Sequence, residues 1–496
     1  MNALTDILKQ LPAESSLTNQ PRTYINHSVK FKQPVTADAR IKALEAVGLN
    51  VFYFPADMIT GCDMLSDSGT TTMTAEQWAA MQLGDESYGS NAGYFHLMEQ
   101  IGTLFGEEFT QPQNFTIPNV FLFHQGRPAE DALFSTLGRL GKHLIIPSNG
   151  HFDTTQANIE ANNIEARNLF SPKLHNENER LFKGDMDTQK LRALLEKSTQ
   201  KVPVIFLTIT NNTGGGQPVS MANIKEIHAI SREFDTPFFF DACRFAENAW
   251  FIQKHEKGYA QKSIQEIVKE MFTYADGFTI SFKKDGLANM GGGLFLKKDG
   301  MFVKNYPEIP DHLMNLQITK EAHPTYGGMS GRDIMALAEG LNTIVRQEYL
   351  DSRIGQVQEF GAAMQTAGLP VLMPAGGHAI YLNMEQFFEG TDMKPKDFGG
   401  ISFTALLLAL YGHRACELGD FAFGHWDEKE GKEIQHEINF VRFAIPRLRY
   451  EKQDLLSVVD TVKALHDNRH LIPKIDVTYG RELPLRHFKA RFAFKK

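Results

Sequence analysis

The chain has 496 residues, more than one hydrophobic core spans, so two or more domains are expected. Its composition, 42% hydrophobic and 22% charged, is ordinary for a soluble globular protein. The formal charge of −8, with acids and bases interspersed, argues against a nucleic-acid surface, and no apolar run is long enough for a membrane span.

Residues 1–16 carry neither a basic leader nor a long apolar core, so no signal peptide is read. Residues 1–65 are assigned to an N-terminal arm and part of a small domain. Residues 123–140, FHQGRPAEDALFSTLGRL, read as a loop entering a helix, with Pro128 at a first helical position. Residues 175–187 and 424–433 read as solvated turns, and the glycines of 211–220 as a further turn. Strand-like runs at 202–210, 236–242 and 277–282 are separated by helical patterns at 220–234, opened by Ser220, and at 244–256 and 263–275. Short continuous apolar runs between amphipathic helices indicate an α/β domain, spanning 66–337, with a mostly parallel sheet covered on both faces. Residues 338–496 combine helical patterns with short strands at 377–383 and 438–447, which suggests a smaller α+β domain. The most apolar stretch, 401–412, reads as a buried helix. Cys62, Cys243 and Cys416 have no metal spacing and cannot all pair, which points to a reducing cytoplasm.

Ligands of such sheets bind at the carboxyl ends of the strands. Asp241, Ser281 and the pair Lys283–Lys284 all fall there. Adjacent ammonium groups repel, and partial burial adds to the effect. Both lower a lysine's proton affinity, as an amine that must form a Schiff base requires. A carboxylate at the end of a buried strand, Asp241, suits a protonated pyridine nitrogen. Gly126 and Arg127 at a helix start suit a phosphate. Together these residues describe a pyridoxal phosphate site.

The segments DSGT, GDESY, HQGR, FDTTQ, GGQPVSMAN, FDACRFAEN, SFKKD, PTYGG, AGGHA, VRFAIPR and LRHFKARF occur in one order along the chain. In that order and spacing they resemble the tryptophanase and tyrosine phenol-lyase family, β-eliminating lyases of the aspartate-aminotransferase fold (type I pyridoxal-phosphate enzymes). The likeness runs from about residue 30 to the end.

The resemblance implies that Lys284 carries the cofactor as an internal aldimine and removes the substrate's α-proton, with Lys283 as its electrostatic neighbour. It places Asp241 on the pyridine nitrogen and Arg244 and Asn212 on the ring hydroxyl. Gln125, Gly126, Arg127 and Ser281 would hold the phosphate, and Phe152 would stack on the ring. Arg442, with Ser66 and Ser68, would receive the carboxylate of an amino-acid substrate. Tyr88, reaching in from a neighbouring subunit of a homotetramer, would be the general acid. Gly69, Glu86 and Asn289 match positions around K⁺. The reaction implied is β-elimination through a quinonoid, ending in pyruvate and ammonia.

Two branches differ at readable places. Asp153, His487 beside Phe488, and Leu418 where phenol-lyases carry arginine all resemble tryptophanase, so tryptophan is the expected substrate. A phenol-lyase, or a β-lyase for S-substituted cysteines, is the alternative. Ser66 stands where the family has Thr, Phe123 and Pro128 replace Thr and Gly around HQGR, and Asn289 is phenol-lyase-like. Residues 50–65 diverge from both branches and contain Phe52, a candidate pocket wall. Cys243 is assigned to packing, and His378 and His124 to structural hydrogen bonds.

Overall fold

A computed structural model describes residues 23–25, 28–112, 119–174 and 181–495. Every candidate site residue belongs to one compact unit that begins at Gln33.

Seven strands form the main sheet: β1 (Val120–Phe123), β2 (Leu144–Ser148), β3 (Ile164–Asn168), β4 (Ile205–Thr208), β5 (Phe238–Asp241), β6 (Gly277–Ser281) and β7 (Gly292–Leu296). Their order is β1-β7-β6-β5-β4-β2-β3. The stretch from β6 to β3 is parallel, whereas β7 runs antiparallel to both β6 and β1. The three phenylalanines of β5 show why the apolar runs are continuous. Phe238 and Phe240 join the core on one face, Phe239 the core on the other, and all three are inaccessible to solvent.

The helices between the strands begin where the sequence offers caps. Ser220 Oγ accepts the Asn223 amide ahead of Met221–Glu233, and Ser263 with Glu266 makes a reciprocal capping box ahead of Ile264–Thr273. The helix after β1 starts earlier than expected, at Gly126. Pro128 is therefore its third residue, still within the first turn, where no amide hydrogen is needed for the helix.

The second sheet has three antiparallel strands, β8 (Ala379–Asn383), β9 (Cys416–Leu418) and β12 (Phe440–Ala444), with β12 central. Between β9 and β12, β10 (His425–Asp427) and β11 (Lys432–Ile434) form a hairpin. Most of 424–433 is solvated as expected, but Glu433 is buried against Arg486. The expectation of a solvated turn fails for the described part of 175–187. Phe182, Lys183, Asp185 and Met186 are buried, and Asp185 accepts the Ser220 amide. A charged run misleads here because its acid caps buried backbone. Residues 175–180 lie outside the described part.

Cys62 and Met64 pack in the core of the three-stranded sheet, while Ile334–Ile354 still pack against the large sheet. The apolar run 401–412 is a buried helix, Gly399–Tyr411. Among the described residues no helix is long and apolar enough to cross a membrane.

Candidate active site

A cavity of about 320 Å³ opens at the carboxyl ends of β4, β5 and β6. Of the predicted residues, Phe52, Ser66, Ser68, Gln125, Gly126, Arg127, Phe152, Asp153, Asn212, Asp241, Arg244, Ser281, Lys283, Lys284, Arg442, His487 and Phe488 all line it. Residues 436 positions apart in sequence thus share one chamber, brought together by both sheets.

The floor is the start of the helix Gly126–Leu137. Its N-cap residue, Gln125, makes no side-chain capping bond, so the first-turn amides are left for a ligand. The close approach of this turn to β6 demands glycine. A methyl on Gly126 would sit 2.7 Å from Ser281 Cβ, and one on Gly292 would sit 2.2 Å from the Gln125 carbonyl carbon. Arg127 and Ser281 stand beside it.

The two lysines leave the end of β6 into the cavity. Burial, then the charges of Lys284 and Arg127, hold the Lys283 amine below its ordinary proton affinity. Asp241 is buried at the tip of β5 and accepts the Cys243 amide at 3.4 Å. The Cys243 thiol is pushed up by burial and then by Asp241, as a packing role implies.

Arg442 stands in the middle of β12. Its Nη1 donates to Asn212 Oδ1 at 3.2 Å and its Nη2 to the Leu65 carbonyl at 3.0 Å, while Nε is buried without a partner. Ser66 Oγ accepts the Ser68 amide at 3.0 Å, folding that loop beside it. At the far end His487 Nε2 lies 2.9 Å from Asp153 Oδ2, both side chains buried. Burial would raise the Asp153 carboxyl, but His487, the Thr154 amide and Arg127 outweigh it and hold it below the usual range. Phe52 and Phe488 wall this pair, with ring centroids 4.7 Å apart, and Leu418 and Cys416 complete the apolar end.

Arg244 lines the cavity and is also held from beneath: its Nε and Nη2 are bound to Asp67 at 3.1 and 2.8 Å. Asp67 was overlooked between the two serines of SDSG. It also takes Arg447 Nη1 at 3.1 Å, and Arg447 Nη2 reaches Glu247 and Asp285 at 2.8 Å each. Arg353 Nε adds a bond to Glu247. Three carboxylates and three guanidiniums therefore lie buried beneath the site, one of them next to Lys284.

Four predicted residues are not cavity walls. Tyr88 is 69% exposed, its ring 5.6 Å from His323 and 5.7 Å from Tyr326. Glu86 is bound to Arg332 Nε and the Gly331 amide. Gly69 and Asn289 are neighbours, since a methyl on Gly69 would lie 3.1 Å from the Asn289 carbonyl oxygen. Among the described residues no cluster of His, Cys, Asp and Glu is arranged to hold a metal.

The model of the β-eliminating lyase family matches residues 63–461. The chain belongs to that family. It is 39% identical over 467 residues to a tryptophanase of Salinibacter ruber, covering 93% of each chain. It is 35% identical over 469 residues to a tyrosine phenol-lyase of Lacrimispora saccharolytica, covering 94% of this chain and 95% of that one. Among solved structures, Sphingomonas wittichii serine palmitoyltransferase superposes with TM-score 0.52 at 12% identity, covering 83% of this chain and 89% of that one. Leishmania major threonine aldolase gives 0.52 at 13%, covering 82% and 99%. The fold is that of the type I pyridoxal-phosphate enzymes. The cavity suits that cofactor: an uncapped helix start for its phosphate, a buried carboxylate for its ring nitrogen, and an amine beside a second cation.

Glu130, one turn into the phosphate helix, is a wall that the sequence reading missed. An acid among Ala129, Ala132, Leu133 and Leu137 on the buried side of the helix was the signal. Thr155 Oγ1 donates to it at 2.8 Å. Burial, then Asp241, raises its carboxyl to about 8. A raised folded-state value means that stability is fully present below the unfolded value, near 4.5, and is lost as pH rises through about 8. Glu130→Gln should remove that loss. In the cofactor-free protein its melting temperature relative to wild type is expected to rise by about 2–4 °C between pH 5 and pH 9. A constant difference across that range would refute the assignment.

Proposed function

We propose that the enzyme cleaves L-tryptophan to indole, pyruvate and ammonia. The observation that carries this reading is the buried Asp153–His487 pair, 2.9 Å apart beneath the rings of Phe52 and Phe488. An indole ring fits an aromatic wall, and its N–H needs an acceptor as a ring carbon is protonated. A carboxylate held ionised by an imidazole supplies that acceptor.

Pyridoxal phosphate, when bound, supplies an electron sink for the charge left at the substrate's α-carbon. The helix start at Gly126, with Arg127 and Ser281, would hold its phosphate, and Asp241 its ring nitrogen. Arg442 and the Ser66–Ser68 loop bind the substrate carboxylate. Lys284 Nζ takes the α-proton, and Lys283 keeps a positive field beside it. Phe52, Leu418 and Phe488 exclude water from the leaving ring. Protonation of that ring needs an acid, and Tyr88, the one the family likeness implies, does not line its own chain's cavity. The exposure of Tyr88 supports its entry into a neighbouring subunit's cavity within a homotetramer. A monovalent cation, K⁺, at Gly69, Glu86 and Asn289 belongs to the same proposal, with Glu86 released from Arg332. A cytoplasmic location follows from the cysteine reading.

The test is release of indole from L-tryptophan by the cofactor-loaded protein with K⁺, against phenol from L-tyrosine and thiol from S-methylcysteine. Tryptophan should be preferred by at least tenfold in kcat/KM, about 1.4 kcal/mol. A tyrosine preference would favour the phenol-lyase alternative, which the 35% likeness to such an enzyme supports.

A further inference from the structure

Asn212 lines the cavity where the functional reading places the cofactor ring, and its side-chain oxygen is crowded. Tyr381 Oη lies 2.7 Å from Asn212 Oδ1, His378 Nε2 3.1 Å and Arg442 Nη1 3.2 Å. Tyr381 Oη is also 3.0 Å from the backbone carbonyl of the same residue. A carboxamide oxygen has two lone pairs, which the Tyr381 hydroxyl and the Arg442 guanidinium fill, with His378 Nε2 a third donor in its Nε2–H tautomer. Arg442 has no acceptor to offer, so the oxygen and not the nitrogen must face this side. Asn212 Nδ2 then points the other way, and it makes no hydrogen bond among the described residues.

We propose that Tyr381 is a positioning residue whose hydroxyl clamps Asn212, so that the Asn212 amide N–H is aimed at the cofactor ring oxygen in both the free and the substrate-bound site. The inference rests on the functional reading above. Arg442 has two duties, since it holds Asn212 and is also the group that a substrate carboxylate would engage. When a carboxylate draws Arg442 away, Tyr381 remains on Oδ1 at the shortest of the three distances. The hydroxyl is well built for this role. Tyr381 is buried, its ring packs edge-on against Phe440, and burial raises the phenol well above its ordinary value, so that it stays a donor.

A donor aimed at the ring oxygen favours its anionic form. The visible absorbance of the pyridoxal-phosphate-loaded, substrate-free protein therefore reports the clamp through its pH midpoint. In Tyr381→Phe, which keeps the ring, the midpoint is expected to rise by roughly half a pH unit to one unit, the worth of one hydrogen bond. Asn212→Ala should raise it at least as far, and adding Tyr381→Phe to Asn212→Ala should change nothing further. An unmoved midpoint in Tyr381→Phe, or a full further shift in the double variant, overturns the proposal. If Tyr381→Phe does not take up cofactor, 3-fluorotyrosine installed at 381 should lower the midpoint, because its hydroxyl is the stronger donor. No shift there overturns the proposal equally. A wild-type protein that shows no absorbance transition on loading would overturn the functional reading and this inference together, whereas a transition insensitive to Tyr381 removes this inference alone.

Discussion

Lys284→Ala is expected to lose the absorbance that depends on the lysine–cofactor bond and to slow elimination by at least about 10³-fold, within the range for removing a positioned acid–base group. The geometry makes this the most sensitive position in the chain. Lys284 lies three residues beyond the end of β6, beside a second lysine whose proton affinity is already lowered by burial and by neighbouring cations. Apart from these two lysines, the cations lining the cavity are the guanidiniums of Arg127, Arg244 and Arg442, which form no such bond with a cofactor aldehyde. Lys283→Ala is the informative partner. It should keep the covalent absorbance and lose much less activity. Undiminished turnover in Lys284→Ala would end the assignment.

Arg447→Met is expected to cost about 3–5 kcal/mol of stability, because it leaves buried carboxylates without their common partner. Arg447 is completely buried and divides its guanidinium among Asp67, Glu247 and Asp285. The Asp285 carboxyl already lies at about 7, raised by burial and then by Glu247, with Arg447 opposing them. Without Arg447 it should rise further. A raised folded-state value costs stability as pH climbs through it, so the variant's deficit should be larger at pH 8.5 than at pH 6. Denaturant midpoints at the two pH values measure this. A deficit below about 1 kcal/mol, or one independent of pH, would mean that the network contributes little.

The parts of this site that could be read in the sequence were those that local pattern encodes. Phe238–Asp241 is a continuous apolar run ending in an acid, and β6 ends in a serine with two lysines just beyond Phe282, so the strand ends announced themselves. The helix after HQGR was legible for the same reason. What escaped notice depends on contacts between distant segments. Asp67 lies 177 positions from Arg244 and 380 from Arg447, and no spacing rule links them. Tyr381 reads as an ordinary strand aromatic until Asn212 is found beneath its hydroxyl, 169 positions away. The antiparallel course of β7 was invisible because a buried strand has the same composition in either direction. Of the residues implied by family likeness, most line the cavity, whereas Tyr88 and Glu86 are exposed to solvent and Gly69 and Asn289 sit together outside it.

The late strand β7 sits between β1, which leads into the phosphate helix, and β6, which leads into the lysines. The two halves of the cofactor floor therefore cannot meet until residue 296 has been inserted, and the substrate walls wait for β12 and for His487 and Phe488 near the chain's end. During synthesis, almost the whole polypeptide must leave the ribosome before the chamber exists. Contacts this distant also make for slow assembly. Colour on uptake of pyridoxal phosphate would thus mark the final event of folding, and a truncated chain would be colourless however much of its sheet it had built.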